Sequence, residues 1–99
     1  MIPTKFWIYI ATVDDEDAEI MYKMVQMPYQ VKAGDTIELL AYEEEDAEPV
    51  FQKTSVYRTA FNVGAMCLTA QLIPLGELLP EEFTETVEGL TAAGWLTEK

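Results

Sequence analysis

The sequence contains no histidine, and Cys67 is its one cysteine in 99 residues. Without histidine it lacks the commonest general base, the side chain that titrates near neutral pH and the usual zinc ligand. No serine–histidine or cysteine–histidine pair can form. We therefore predict that the protein is not an enzyme and has no catalytic residue, no metal site and no cofactor.

Cys67 cannot form a disulfide within the chain, which suits a reducing compartment. It lies between Met66 and Leu68 in an apolar run with no nearby positive charge. A reactive thiolate needs an accessible, electropositive setting, so we expect Cys67 to be a small buried apolar residue.

Glycine-rich loops and long apolar runs are also missing. The five glycines are scattered along the chain and make no phosphate-binding loop. No apolar run approaches the ~20 residues of a membrane-spanning helix. Residues 1–5 do not have the composition of a signal peptide. These absences predict a cytoplasmic protein that does not enter a membrane.

Basic residues are scarce, with six against eighteen acidic ones and a net charge of -12. Ten of the acids form two clusters, Asp14, Asp15, Glu16, Asp17 and Glu19 in the first and Glu43, Glu44, Glu45, Asp46 and Glu48 in the second. Such a charge repels nucleic acid and anionic membranes and attracts basic proteins and cations. We expect no direct binding to nucleic acid.

The length is that of one domain, residues 1–99. Hydrophobic residues make up 49% of the chain, which is enough for a folded core despite the charge. Five apolar runs separated by turn signals predict a β-rich fold, with strands at residues 6–13, 20–27, 37–42, 50–61 and 65–73.

The first run predicts one structure, whereas the second fits two. The run at 6–13 is aromatic and β-branched and is apolar on both alternating faces, which predicts a central strand. The run at 20–27 fits a strand but also fits helical spacing, with Asp17 as a helix cap. The alternative fold is therefore an α+β sandwich with a helix at residues 15–27.

The C-terminal segment is predicted to be a helix from Pro80 to Ala93. Proline suits the first helical position, and acidic residues in the first turn face the positive end of the helix dipole. Phe83, Val87 and Leu90 form one apolar stripe. Gly94 ends the helix, and Trp95 folds back onto the core.

The predicted fold class is a β-dominated α+β domain, a five-stranded antiparallel small barrel or bent sheet with one C-terminal helix. It resembles SH3-like barrels in size and strand count. In an up-and-down sheet the first and third connections lie at the same end. Both acidic clusters fall in these connections, so the order of strands predicts one end rich in carboxylates.

The functional hypothesis is an interaction or adaptor protein whose acidic clusters bind a basic protein partner. In its size, acidity and lack of catalytic groups the chain is also similar to phage- and mobile-element-encoded inhibitors that mimic nucleic acid. A small ligand-binding barrel is a further alternative. The simplest interpretation is that the clusters are solvated turns that keep the protein soluble.

Two further kinds of interaction, with calcium and with a second copy of the chain, can be judged from the sequence. Neither cluster has the spaced acids, central glycine and terminal glutamate of an EF-hand loop, which disfavours calcium binding. Open strand edges often pair, so a homodimer is compatible with the predicted sheet.

Overall fold

The computed structural model describes residues 1–39 and 53–98, which form a curled half-barrel sheet packed against one helix. The strands are β1 (Ile2–Thr12), β2 (Ala18–Met27), β3 (Thr36–Glu38), β4 (Lys53–Asn62), β5 (Cys67–Leu72), β6 (Leu75–Leu78) and β7 (Leu96–Thr97). The helix is α1 (Pro80–Ala92). The order across the sheet is β3-β4-β5-β1-β2-β7, and β6 also pairs with β1.

The prediction of a β-dominated domain with one C-terminal helix is confirmed, but the predicted number and order of strands are wrong. The described residues contain seven strands instead of five, because the short strands β6 and β7 follow the fifth predicted run. The sheet is mixed and not purely antiparallel. β1 pairs in parallel with β5, from Thr4 opposite Leu68 to Trp7 opposite Gln71, and with β6 from Ile10 opposite Leu75.

The segment between β2 and β3 explains why the sheet is not a simple meander. Val31 in this segment is fully buried in the core. Further on, the Gly34 amide donates to the Val56 carbonyl at 2.8 Å, and the Val56 amide donates to the Asp35 carbonyl at 2.8 Å. The chain therefore leaves β2 and attaches to β4 at the far side of the sheet. That path leaves the second edge of β1 available to β5 and β6.

The alternative with a helix at residues 15–27 is wrong. β2 is extended throughout and pairs with β1 in antiparallel register, from Ile2 opposite Met27 to Ala11 opposite Ala18. The turn that joins them is short, and an apolar strand next to it offers a full ladder of hydrogen bonds. Pairing with β1 therefore determines that this segment forms a strand, although its local pattern fits either a strand or a helix.

The core lies on the inner face of the sheet. Alternate residues of the central strand, among them Phe6, Ile8 and Ile10, are buried there, and Leu90 of α1 packs against them. Burial of each such side chain stabilises the fold by about 1.5–3 kcal/mol. β1 lies between β5 and β2 in the sheet, so the central position predicted for the first apolar run is confirmed.

The predicted helix end is also confirmed, with α1 finishing at Ala92. The Trp95 amide donates to the Leu90 carbonyl at 3.0 Å, and the Gly94 amide donates to the Thr91 carbonyl at 3.1 Å. These two bonds form a Schellman motif, which needs the left-handed conformation that Gly94 adopts with φ +96°. Trp95 is buried in the core, as the sequence predicts.

Two other expectations concern the burial of Cys67 and membrane-spanning helices. Cys67 lies on β5 with 3% of its surface exposed, so the prediction that it is a buried apolar residue is confirmed. Across residues 1–39 and 53–98, no helix has both the length and the apolar character needed to cross a membrane.

Candidate functional site

The first acidic cluster forms the turn between β1 and β2. Asp14, Asp15, Glu16 and Asp17 are exposed at its tip, and Glu19 is half-buried on β2. The strands on either side pair as far as Ala11 and Ala18, so the tip projects directly from the longest ladder in the sheet. The cluster is therefore carried by the most extensively paired part of the fold.

Hydrogen bonds hold this turn in one conformation. The Thr12 hydroxyl donates to Asp14 Oδ1 at 2.8 Å, and the Glu16 amide donates to the same oxygen at 3.2 Å. The Asp17 amide donates to Thr12 Oγ1 at 3.2 Å. The Thr12 hydroxyl and the Glu16 amide lower the pKa of Asp14 below its ordinary value. Asp14 therefore has a structural role in addition to its charge.

The start of α1 lies beside this turn. Thr12 is opposite Leu78 of β6, and the Val13 amide donates to the Leu78 carbonyl at 3.0 Å. Two residues after Leu78 the helix begins, and Glu81 and Glu82 are exposed in its first turn. We call this surface the acidic end and define it as Asp14, Asp15, Glu16, Asp17, Glu81 and Glu82.

The second cluster, Glu43, Glu44, Glu45, Asp46 and Glu48, lies outside the described residues. The residues on either side of it are described, since Glu38 ends β3 and Lys53 begins β4. β4 is antiparallel to β5, and β5 is parallel to β1, so Lys53 lies at the end of the sheet where β1 finishes. That the two clusters meet stays a prediction.

Ion pairs in the described part of the chain are few. Lys5 pairs with Glu98 and Lys53 pairs with Glu38, each at 3.8 Å, and neither pair includes a carboxylate of the acidic end. In the same residues, no three acidic or cysteine side chains are grouped as a metal ion would need. Within the described residues, the carboxylates of the acidic end therefore have no basic side chain as an ion-pair partner.

A second feature, which sequence reasoning missed, is the outer face of the sheet. It carries Trp7 and Tyr9 from β1 and Ile20, Tyr22 and Met24 from β2, which alternate with the buried residues. Trp7 and Tyr22 are half-buried, Tyr9 is 37% exposed and Met24 is 51% exposed. The run at 6–13 is apolar on both of its alternating faces, and that pattern is the signal in the sequence for this feature.

Polar groups lie among these aromatic side chains. Lys5 Nζ is 4.7 Å from the centre of the Tyr22 ring, within the range of a cation–π interaction. On the other side of Trp7, Arg58 Nε donates to Gln71 Oε1 at 2.7 Å. A depression of about 380 Å³ opens on this face, lined by Lys5, Trp7, Ile20, Thr69 and Glu98.

Comparison with protein-family models, with curated proteins and with solved structures finds no match for this chain. Functional inference therefore rests on the residues and on the geometry of the acidic end and the outer face.

Proposed function

We propose that the protein is a non-enzymatic interaction protein whose acidic end binds a basic protein partner. The observation that carries the proposal is the turn at residues 14–17, where four exposed acids are held in one conformation. It lies beside the acidic first turn of α1, and the described residues supply it with no ion pair. Charged surfaces of this kind speed association and set specificity more than they add affinity.

The second cluster adds to the proposed surface. Glu38 and Lys53, the described residues on either side of this cluster, lie at the end of the sheet that carries the β1–β2 turn. Neutralising Glu43, Glu44, Glu45 and Asp46 together is therefore expected to abolish most of the binding.

A small ligand-binding barrel has less support. The interior of the half-barrel is filled by side chains with no exposed surface, among them Ile8, Ile10 and Leu90. A ligand site inside a barrel requires a concave space lined by a few polar groups. The depression described above lies on the outer face instead.

Capture experiments at two salt concentrations test the proposal. Proteins retained from a cell lysate by the immobilised chain are identified, and the affinity of a purified partner is then measured. We expect a basic partner whose affinity falls steeply as ionic strength rises, because exposed charges more than about 10 Å apart are screened at 0.1 M salt. Partners that are not basic, or affinity that is independent of salt, would contradict the proposal.

A matched pair of variants distinguishes the effect of the acidic end on binding from the effect of the protein's net charge. Glu16→Gln/Asp17→Asn neutralises two acids of the tip, and Glu85→Gln/Glu88→Gln neutralises two exposed acids further along α1. The first variant should weaken the partner several-fold and the second should have little effect. Equal losses would show that only net charge matters. Competition by DNA for the same partner would favour the nucleic-acid mimic.

A further inference from the structure

We infer that the free edge of β2, which we define as Met24–Met27, binds an extended segment of another protein as an added strand. The inference is independent of the proposed function, because the acidic end and the free edge share no residue. It rests on the backbone groups of the edge, on the side chains beside it and on the position of β7.

The backbone groups of β2 point alternately towards β1 and towards the opposite edge. The Glu98 amide donates to the Ile20 carbonyl at 2.8 Å, so the backbone groups of Ile20 point away from β1. In an antiparallel strand this direction alternates from one residue to the next. The amides and carbonyls of Met24 and Gln26 therefore point to the same side as those of Ile20.

No described strand covers these groups. β7 reaches only as far as Tyr22, which is opposite Leu96, and the chain before it turns inward to the buried Trp95. Within residues 1–39 and 53–98, the backbone groups of Met24 and Gln26 have no backbone partner on this side. Two amides and two carbonyls at regular spacing are the groups that an added extended strand would pair with.

The free edge also lacks the features that commonly prevent strand pairing. Exposed edges often carry charged residues, prolines or bulges. Residues 24–27 contain neither a charge nor a proline, and their pairing with β1 is regular. The neighbouring Lys23 is directed to the end of α1, where it donates to the Ala93 carbonyl at 2.7 Å. The edge is therefore open to an incoming strand.

Side chains beside the edge specify the segment that fits. Val25 and Met27 are half-buried at the margin of the core, whereas Met24 and Gln26 are exposed. An added strand alternates in the same way, so apolar side chains at alternate positions would cover Val25 and Met27. Residues 20–34 contain no acid, so the segment needs no basic residues.

The position of β7 disfavours a second copy of the chain at this edge. Two free edges in antiparallel pairing would place Met24 of one copy opposite Gln26 of the other. The same register places Pro28 opposite Tyr22, where Leu96 already lies. A shift that avoids β7 leaves Pro28, which has no amide, opposite Met24. The fitting segment is instead one that ends or bends before Tyr22, such as a chain terminus or an exposed loop of another protein.

Amide hydrogen exchange of the chain alone tests whether the edge is open. The amides of Met24 and Gln26 should exchange at least about tenfold faster than those of Lys23 and Val25, which point towards β1. Equal protection of the four amides would overturn the inference, because the edge would then be covered already.

Selection from a phage-displayed library of random peptides tests the binding itself. We expect peptides with apolar residues at alternate positions, and their binding should protect the amides of Met24 and Gln26 from exchange. Their affinity should change by less than about twofold between low and moderate salt, since no ion pair is required. This salt dependence distinguishes the free edge from the acidic end, whose binding is expected to fall steeply.

Two variants at one position provide a matched control. Met24→Pro removes an amide that the added strand needs and should weaken the selected peptides at least about tenfold, and proline is tolerated where an edge amide faces solvent. Met24→Thr changes the side chain but keeps the amide, so affinity should stay within about threefold. Circular dichroism checks that both variants are folded.

The exchange measurement needs no variant, so the test holds even where Met24→Pro does not fold. Selection that yields no peptide protecting the amides of Met24 and Gln26 overturns the inference. So do peptides that bind Met24→Pro as tightly as Met24→Thr.

Discussion

Lys23 Nζ lies 2.7 Å from the carbonyl oxygen of Ala93, so a strand residue supplies the cation at the C-terminal end of the helix. The last turn of α1 has no basic residue of its own. Helix ends carry unpaired carbonyl groups and a partial negative charge, and a nearby ammonium stabilises both. The contact joins residues 70 positions apart and fixes α1 against β2.

Replacing Lys23 tests this contact. Lys23→Met keeps the aliphatic length but removes the ammonium, so the free energy of unfolding should fall by about 1–2 kcal/mol. Chemical denaturation measures the change. Lys32→Met is the control, because Lys32 is exposed in the segment between β2 and β3 and should change stability by less than about 0.5 kcal/mol. Equal losses in the two variants would contradict a capping role for Lys23.

A side chain at Gly94 should destabilise the protein. Its φ of +96° disfavours any L-residue, whereas an added Cβ would lie 3.5 Å from Lys23 Nζ, which is an ordinary van der Waals distance, so the cost comes from the backbone. Gly94→Ala is therefore expected to cost about 1–2 kcal/mol in thermal or chemical unfolding. Gly76→Ala is the matched control, since no atom lies within 4 Å of the added Cβ and its φ is not positive. That variant should be neutral or stabilised by up to about 1 kcal/mol.

Replacing Met66 with glycine is expected to stabilise the protein. It lies in the turn between β4 and β5, is exposed, and has a φ of 55°. Glycine adopts this conformation without the steric cost that a side chain adds. Met66→Gly should raise the free energy of unfolding by about 0.5–1 kcal/mol. Val63→Gly, in the same turn but without a positive φ, should lower it.

The Asp14 carboxylate provides a prediction about pH. Thr12→Val removes the hydroxyl that is the largest cause of the low pKa of Asp14, so that pKa should rise towards 3.8. Carboxyl ¹³C chemical shifts followed through a pH titration measure it. An unchanged pKa in the variant would show that the hydroxyl is not responsible.

The Asp14 carboxylate also contributes to the stability of the folded protein, and its lowered pKa determines how that contribution changes with pH. The folded state favours the ionised carboxylate, so the contribution is present above the ordinary pKa of 3.8. It is lost as the pH falls through the lower folded value, when the protonated group no longer accepts both hydrogen bonds. Stability measured from pH 5 downwards should therefore decline less in Asp14→Asn than in the unmodified chain.

Elements with a strong local pattern could be predicted from the sequence. The helix from Pro80 has its own start signal, its apolar stripe and its terminal Gly94, and all three are found where the sequence places them. The strand from Phe6 is apolar on both faces, which only a central strand accommodates. Local chemistry decides such elements before any distant partner is known.

The partners of the strands could not be predicted in the same way. Thr4 and Leu68 are opposite each other in a parallel pair, and no local signal marks the choice of β5 over another strand. β6 and β7 are four and two residues long, too short to show a period. The outer face was missed because aromatic residues such as Trp7 and Tyr22 have the same pattern whether or not another layer covers them.

The parallel pairing of β1 with β5 and β6 also determines when the chain can fold. During synthesis β1 and β2 emerge before β5 and β6 and can pair with each other as a hairpin. The second edge of β1 can be paired only after residues 67–78 have been made. Contacts so distant in sequence form slowly, and exposed apolar edges favour association with other chains until they are covered. β1 is thus synthesised before its parallel partners and is completed only after they have emerged.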